Sequence, residues 1–276
     1  RGNILEALAT YRYLVPTQLM KVGVGTTQLD YLRKNLRWLR DRGRPFVGCY
    51  KFNSPDPKKG SVEYMYFLKP RGAVVCVEHL GWEEGNIRMP KGRGVAYKDY
   101  HHRKQTVDFY IKLQQWVEQG EHSVLLLDAY FDKVGNNRIA KNMRSKNRIP
   151  LSDDKYLIPD LNVILELNDG SKEILLYELH RGNDSGRIID QIYKHAEAQY
   201  LGSTQTMYNL LQPYQVLILF DHEGCMEATI RNVVNSHPRL APVREYFLCK
   251  TLDQLEELPF TDGWKSLSGN IVRLFE

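Results

Sequence analysis

The sequence lacks any run of about 18 consecutive apolar residues, so it offers no membrane-spanning helix and predicts no membrane partner. Its longest apolar strings, such as Val124–Leu127 and Val216–Phe220, have the length of strands. Cysteine is scarce. Cys49, Cys76, Cys225 and Cys249 stand far apart without CxxC spacing, which fits neither a zinc site nor a disulfide framework and points to a reducing cytoplasm. There is no GxxxxGK[ST] phosphate loop and no GxGxxG motif after a strand, so no nucleotide cofactor is expected. No internal repeat or low-complexity tract occurs, and no His-hydrophobic-His pair, since His101-His102 has no intervening residue.

What remains is the composition of a soluble globular chain: 276 residues, 42% apolar and 26% charged, long enough for two modest domains. The net charge of +5 is modest, and its distribution says more. Lys133, Arg138, Lys141, Arg144, Lys146 and Arg148 follow one another with no acidic residue between them. A second cluster, Arg88, Lys91, Arg93, Lys98, Arg103 and Lys104, is interrupted only by Asp99. Such one-sign loops suit a polyanion, and each taken alone equally suits a solvated loop.

The N-terminal stretch predicts a winged helix. Ile4, Leu5 and Leu8 have helical spacing, and Pro16 opens a short second helix. Thr26 or Thr27 caps a third, with Leu29, Leu32, Leu36 and Leu39 along one face. Arg33, Lys34 and Arg37 fall largely off that face and are candidate DNA contacts. Two β-like runs follow, Phe46–Phe52 and Val62–Leu68, joined by a turn-rich loop carrying Lys58 and Lys59 at its tip. A winged helix also serves in protein contacts alone, so the fold does not by itself establish DNA binding. Residues 1–75 are assigned to this domain and 76–99 to a linker or insertion.

From residue 100 to 276 helices and strands alternate. Tyr100–Gln119 is helical, Ser123–Phe131 a strand, Leu161–Leu167 and Glu173–Leu179 two strands joined at Asn168-Asp169-Gly170. A helix near Gly186–Tyr200, a strand at Gln215–Phe220, a helix at Gly224–Asn235, a strand at Arg244–Cys249 and a helical piece at Asp253–Leu258 complete the order. The expected fold class is α/β: a winged helix followed by an α-β-β-β-α-β domain of the restriction-endonuclease-like, PD-(D/E)xK type.

Within that order, Ile158-Pro159-Asp160 is followed eighteen residues later by Glu178-Leu179-His180. Phosphodiester hydrolysis commonly uses divalent cations, for which carboxylates are natural hard ligands. Antiparallel strands bring the start of one and the end of the next together, so Asp160 and Glu178 are expected as neighbours and as ligands of Mg2+ or Mn2+. Whether they share a face depends on the turn. An odd-numbered loop aligns Asp160, Asn162, Glu178 and His180 on one face. A two-residue Asp169-Gly170 turn would set Asp160 opposite Leu179.

The segments Ile158-Pro159-Asp160 and Tyr177-Glu178-Leu179-His180-Arg181-Gly182, with Lys194 on the next helix and His102 and Asp108 before the first strand, resemble the replication-relaxation family. That group includes the MobC-type and TraX-type plasmid relaxases, related to restriction endonucleases. The resemblance implies a strand-specific nickase at a plasmid or mobile-element transfer or replication origin, working with other mobilization or replication proteins. It implies a metal on Asp160 and Glu178, with His102 and Asp108 beside them as ligand, proton carrier or DNA contact. The usual lysine is replaced by His180, and Arg181 or Lys194 would have to supply the cation. Arg138, Lys141, Arg144, Lys146, Arg148 and Arg181 are the further candidate DNA contacts. The alternatives are a non-catalytic initiator or regulator on the same fold, and a double-strand endonuclease.

Overall fold

The computed structural model describes residues 1–52, 61–90, 94–135 and 143–275. The chain is mixed α/β and divides into two compact units, Arg1–Ile111 and Lys112–Glu276. Lys58, Lys59, Arg138 and Lys141 lie outside the described residues, as do Lys91 and Arg93.

The first unit opens with α1 (Gly2–Tyr11), α2 (Pro16–Lys21) and α3 (Leu29–Arg40). Proline at the head of α2 gives up an N–H that has no partner within the helix anyway, and the Gln18 side chain accepts from the Val15 N–H at 3.1 Å. On α3, Leu32, Leu36 and Leu39 are buried, whereas Arg33, Lys34 and Arg37 are exposed. Strands β1 (Val47–Tyr50) and β2 (Met65–Leu68) pair antiparallel from Val47 opposite Leu68 to Tyr50 opposite Met65. Leu14, between α1 and α2, adds a single bridge to Tyr66.

The helix α4 (Pro70–Leu80) runs into residues 76–99, the stretch expected as a linker or insertion. Its signals are a proline in the first turn and Gly81 in the left-handed conformation at its end (φ 75°). Gly72 obscures the pattern yet is required there, since a Cβ would lie 2.2 Å from the Phe46 carbonyl oxygen. The division between the two units falls within α5 (Tyr97–Gln119), after Ile111.

The second unit is built on β3 (Ser123–Ala129), β8 (Leu161–Glu166), β9 (Lys172–His180), β10 (Gln215–Phe220), β11 (Phe247–Thr251), β12 (Trp264–Ser266) and β13 (Ile271–Val272). They form one mixed seven-stranded sheet in the order β13-β12-β11-β10-β9-β8-β3. β8 is antiparallel to both neighbours, and β9, β10 and β11 run parallel. The parallel crossovers are carried by α6 (Ser185–Tyr200) with α7 (Ser203–Tyr208), and by α8 (Glu223–Ser236) with a 3-10 segment (Pro238–Tyr246). Two further pairs form before β8: β4 (Lys133–Val134) with β5 (Arg144–Ser145), within the stretch read as a basic loop, and β6 (Ile149–Pro150) with β7 (Tyr156–Leu157), just after it. The short helix α9 (Leu252–Glu257) is held by a capping box between Thr251 and Gln254.

Both sheet faces are apolar. Ile174, Leu176, Val216, Ile218 and Phe220 pack with Ile188 and Ile192 of α6 and Met226 and Ile230 of α8. On the opposite face Val163, Leu165, Leu175, Tyr177, Leu217 and Leu219 are buried too. This double coverage explains the nearly continuous apolar strands, as parallel sheets require. Among the described residues no helix is long and apolar enough to cross a membrane.

Candidate functional site

The register of β8 on β9 decides where the carboxylates go. Leu161 pairs with Tyr177 and Glu166 with Lys172, leaving the five-residue loop Leu167–Ser171 between them. The count is odd, and the ladder ends at the Leu161–Tyr177 pair, one step before Asp160. Glu178 points to the side covered by α6, and the charge of Asp160 acts on a histidine of that same helix. Leu167 N–H donates to the Ser171 carbonyl at 2.8 Å and Gly170 N–H to the Leu167 carbonyl at 2.9 Å, which closes the loop.

Asp160 is buried and held by backbone on both sides. Its N–H donates to the Tyr177 carbonyl at 2.9 Å, and its carbonyl accepts from Tyr130 N–H at 3.0 Å. Its Oδ2 accepts from Leu179 N–H at 2.7 Å. Glu178 is equally buried on β9, between β8 and β10, opposite Ile218. Its Oε1 accepts from Gln191 Nε2 at 2.9 Å and lies 2.7 Å from His195 Nε2. Gln191 and His195 are four residues apart on α6, one turn of one face.

His195 is 1% exposed, and burial pushes its pKa down to about 3; the charge of Asp160 opposes that shift and Lys194 adds to it. The imidazole is therefore neutral near pH 7, and the proton on Nε2 is the one facing Glu178. The Tyr214 hydroxyl donates to the His195 carbonyl at 2.6 Å and ties α6 to the foot of β10.

The polar layer extends along the same face. Asp128 of β3 pairs with Asn162 of β8, next to Asp160 in the alternation. Its Oδ1 lies 2.7 Å from Lys146 Nζ. Asn162 Nδ2 donates to the Tyr208 hydroxyl at 2.6 Å, and Asn147 Nδ2 donates to the Pro159 carbonyl at 2.6 Å. Burial raises the Tyr208 hydroxyl to about 12, with Asn162 opposing and Asp128 adding, so it stays protonated.

The other expected residues fall as follows. His180 is buried at the end of β9 beside the Phe220 ring, its pKa lowered by burial first and by Arg187 next, with Asp184 and Asp221 opposing. Arg181 Nε lies 3.4 Å from Asp221 Oδ2. Lys194 is exposed on α6, and its neighbour His195 is the residue that faces Glu178. His102 and Asp108 belong to the first unit, where Asp108 lies 2.9 Å from Lys104 Nζ and 3.8 Å from Lys21 Nζ. Arg144, Lys146 and Arg148 are exposed, with the Arg148 guanidinium 3.7 Å above the Tyr156 ring.

Gln191, His195, Asp128, Asn147 and Tyr208 are the participants that sequence reasoning missed. For His195 a signal existed: it continues the buried series Ile188, Ile192 at helical spacing, whereas Lys194 does not. Comparison with protein-family models, curated proteins and solved structures finds no match to this chain.

Proposed function

We propose that the chain is a metal-dependent, site- and strand-specific DNA nickase acting at a transfer or replication origin of a plasmid or other mobile element. In this reading the first unit is a winged-helix DNA-binding module and the second a PD-(D/E)xK-type nuclease domain. The observation that supports it most is the nearness of the two acids: Asp160 Oδ2 accepts from the N–H of Leu179, the residue after Glu178, and the charge of Asp160 acts on His195, whose Nε2 lies 2.7 Å from Glu178. The sequence α5-β3-β8-β9-α6-β10, with β8 antiparallel in an otherwise parallel neighbourhood, supports the nuclease fold. Three helices, an antiparallel pair and the Leu14–Tyr66 bridge support the winged helix.

The residues fit a hard divalent cation such as Mg2+ or Mn2+. Asp160 and Glu178 offer oxygen donors from adjacent strands, and Mg2+ is commonly held by one or two carboxylates together with waters and substrate phosphates. When bound, the ion supplies charge neutralisation at the phosphate and an activated water. The protein's own part is orientation. Gln191 and His195 fix Oε1 of Glu178, and Leu179 N–H fixes Oδ2 of Asp160. Arg144, Lys146 and Arg148 supply positive charge in the segment preceding Asp160.

A specific observation favours a second reading, a non-catalytic DNA-binding initiator or regulator on the same scaffold. His180 stands at the position where a lysine is usual, and burial holds it neutral near pH 7; Lys194 lies on the exposed side of α6. Incubating supercoiled plasmid carrying DNA from around this chain's own gene with Mg2+ or Mn2+ separates the readings. Open circles cut at one strand-specific position support the nickase. Linear product indicates a double-strand endonuclease, and retarded but intact DNA supports the binding protein.

A further inference from the structure

The first unit contains an open pocket of about 420 Å3, walled by α3 on one side and by Ser61–Tyr64 and Tyr66 on the other. Four cations line it, Arg33, Arg37, Arg40 and Lys51, against one carboxylate, Glu63. That carboxylate is already committed: Oε1 accepts from Thr17 N–H at 3.2 Å and Oε2 from the Thr17 hydroxyl at 2.6 Å. Arg40 is locked to Asp41 through two nitrogens, at 2.6 and 2.9 Å, and its third nitrogen faces Cys49 Sγ at 3.9 Å. Arg33 contacts the exposed Asp30 at 3.3 Å.

Arg37 and Lys51 differ from these two. Both are exposed, and among the described residues neither guanidinium nor ammonium makes a hydrogen bond or ion pair. Lys51 Nζ lies 5.5 Å from the centre of the Tyr64 ring, at the pocket wall. Four cations around one concavity repel one another, and an anion seated there relieves that repulsion. The planar fork of an arginine matches two oxygens of a phosphate, and lysine adds a point charge. The volume falls within the range of about 300–1,000 Å3 typical of small-ligand sites, roomy enough for a phosphate with its flanking sugar.

We infer that this pocket seats one backbone phosphate of duplex DNA, gripped by Arg37 and Lys51 and flanked by Arg33 and the Tyr64 ring. It anchors the first unit on the duplex without reading bases, so it acts alike on all sequences. This inference rests on the reading of the first unit as a DNA-binding module.

The test is a salt titration of duplex binding by the full chain, followed by fluorescence anisotropy on two unrelated duplex sequences. Arg37→Gln and Lys51→Gln are each expected to weaken both duplexes by the same factor. Each is also expected to lower the slope of log K against log salt by about 1, as loss of one phosphate contact does. Arg231→Gln, an exposed cation of α8 outside the pocket, leaves the slope unchanged. Arg37 and Lys51 are both solvent-facing, and two separate variants guard against misfolding of one. A wild-type chain that binds no duplex overturns the inference together with the DNA-binding reading. A wild-type chain that binds, with slopes unaltered in both variants, overturns the pocket alone. So does binding of a mononucleotide with unaltered duplex slopes, which would assign the pocket to a small phosphate ester.

Discussion

His195 Nε2 lies 2.7 Å from Oε1 of Glu178, and both side chains are buried beneath α6. A carboxylate taken out of water loses several kcal/mol of hydration unless donors replace it. Here the donors are the imidazole N–H of His195 and the amide of Gln191, both on one helix. The helix that covers the site therefore also orients one of its two acids.

Replacing His195 by alanine removes one of those donors and leaves a buried oxygen short of a partner, at a cost of about 1–3 kcal/mol. The pH dependence has a definite sign. The folded pKa of about 3 lies below the unfolded value of about 6.5, so between them the unfolded chain binds more protons. This contribution to stability is complete above about pH 6.5 and is lost progressively as pH falls toward 3. His195→Gln is expected to flatten the decline between pH 7 and pH 5 in urea unfolding. His180 shifts in the same direction and is present in both proteins, so the difference isolates His195. Equal pH slopes in the two proteins would contradict the assignment.

Lys146 links the basic segment to the sheet. Its ammonium lies 2.7 Å from Asp128, which is buried, while Lys146 itself is about half exposed. Solvent screens such a pair, so Lys146→Met is expected to cost only about 1 kcal/mol in denaturant unfolding. DNA affinity is expected to fall more, and equally for unrelated sequences, because a phosphate contact carries no sequence information. A variant that loses stability but keeps its affinity would leave Lys146 with a folding role alone.

Gly170 tests the loop that sets the register. It adopts φ +83°, and nothing stands within 4 Å of where a Cβ would sit. Gly170→Ala therefore costs backbone strain and nothing else, about 1–2 kcal/mol. The expected result is a lower melting temperature with the DNA-nicking rate per folded molecule unchanged. A lost rate in a fully folded variant would mean that the register itself had moved.

The parity of the hairpin was open in the sequence because Asn168-Asp169-Gly170 suits both a tight turn and a longer loop. The five-residue loop observed is the odd-numbered alternative. The odd-numbered Leu161, Val163, Leu165, Leu175, Tyr177 and Leu179 of the hairpin are buried on one face. Ile174 and Leu176, on the other face, are also buried, because α6 and α8 pack against that face. The order of long elements from Tyr97 to Glu257 was legible, since each carries a sustained period. The pairs β4–β5 and β6–β7 were not, because two-residue strands have no period to read. The helix Pro70–Leu80 was hidden by Gly72, whose reason for being there is a close approach to Phe46, a contact distant in sequence. Asp128 and Tyr208 were missed for a similar reason: the pairing of β3 with β8 and the placing of α7, and not any local motif, bring them to Asn162.

The most direct measurement is plasmid nicking by the wild-type chain, Asp160→Asn and Glu178→Gln in Mn2+, with DNA binding by the same three proteins measured in parallel. The expected result is metal-dependent open circles from the wild type, none from either variant, and equal binding by all three. Nicking that persists in both variants, or a wild type that binds DNA and never cuts it, would contradict a carboxylate-pair nuclease.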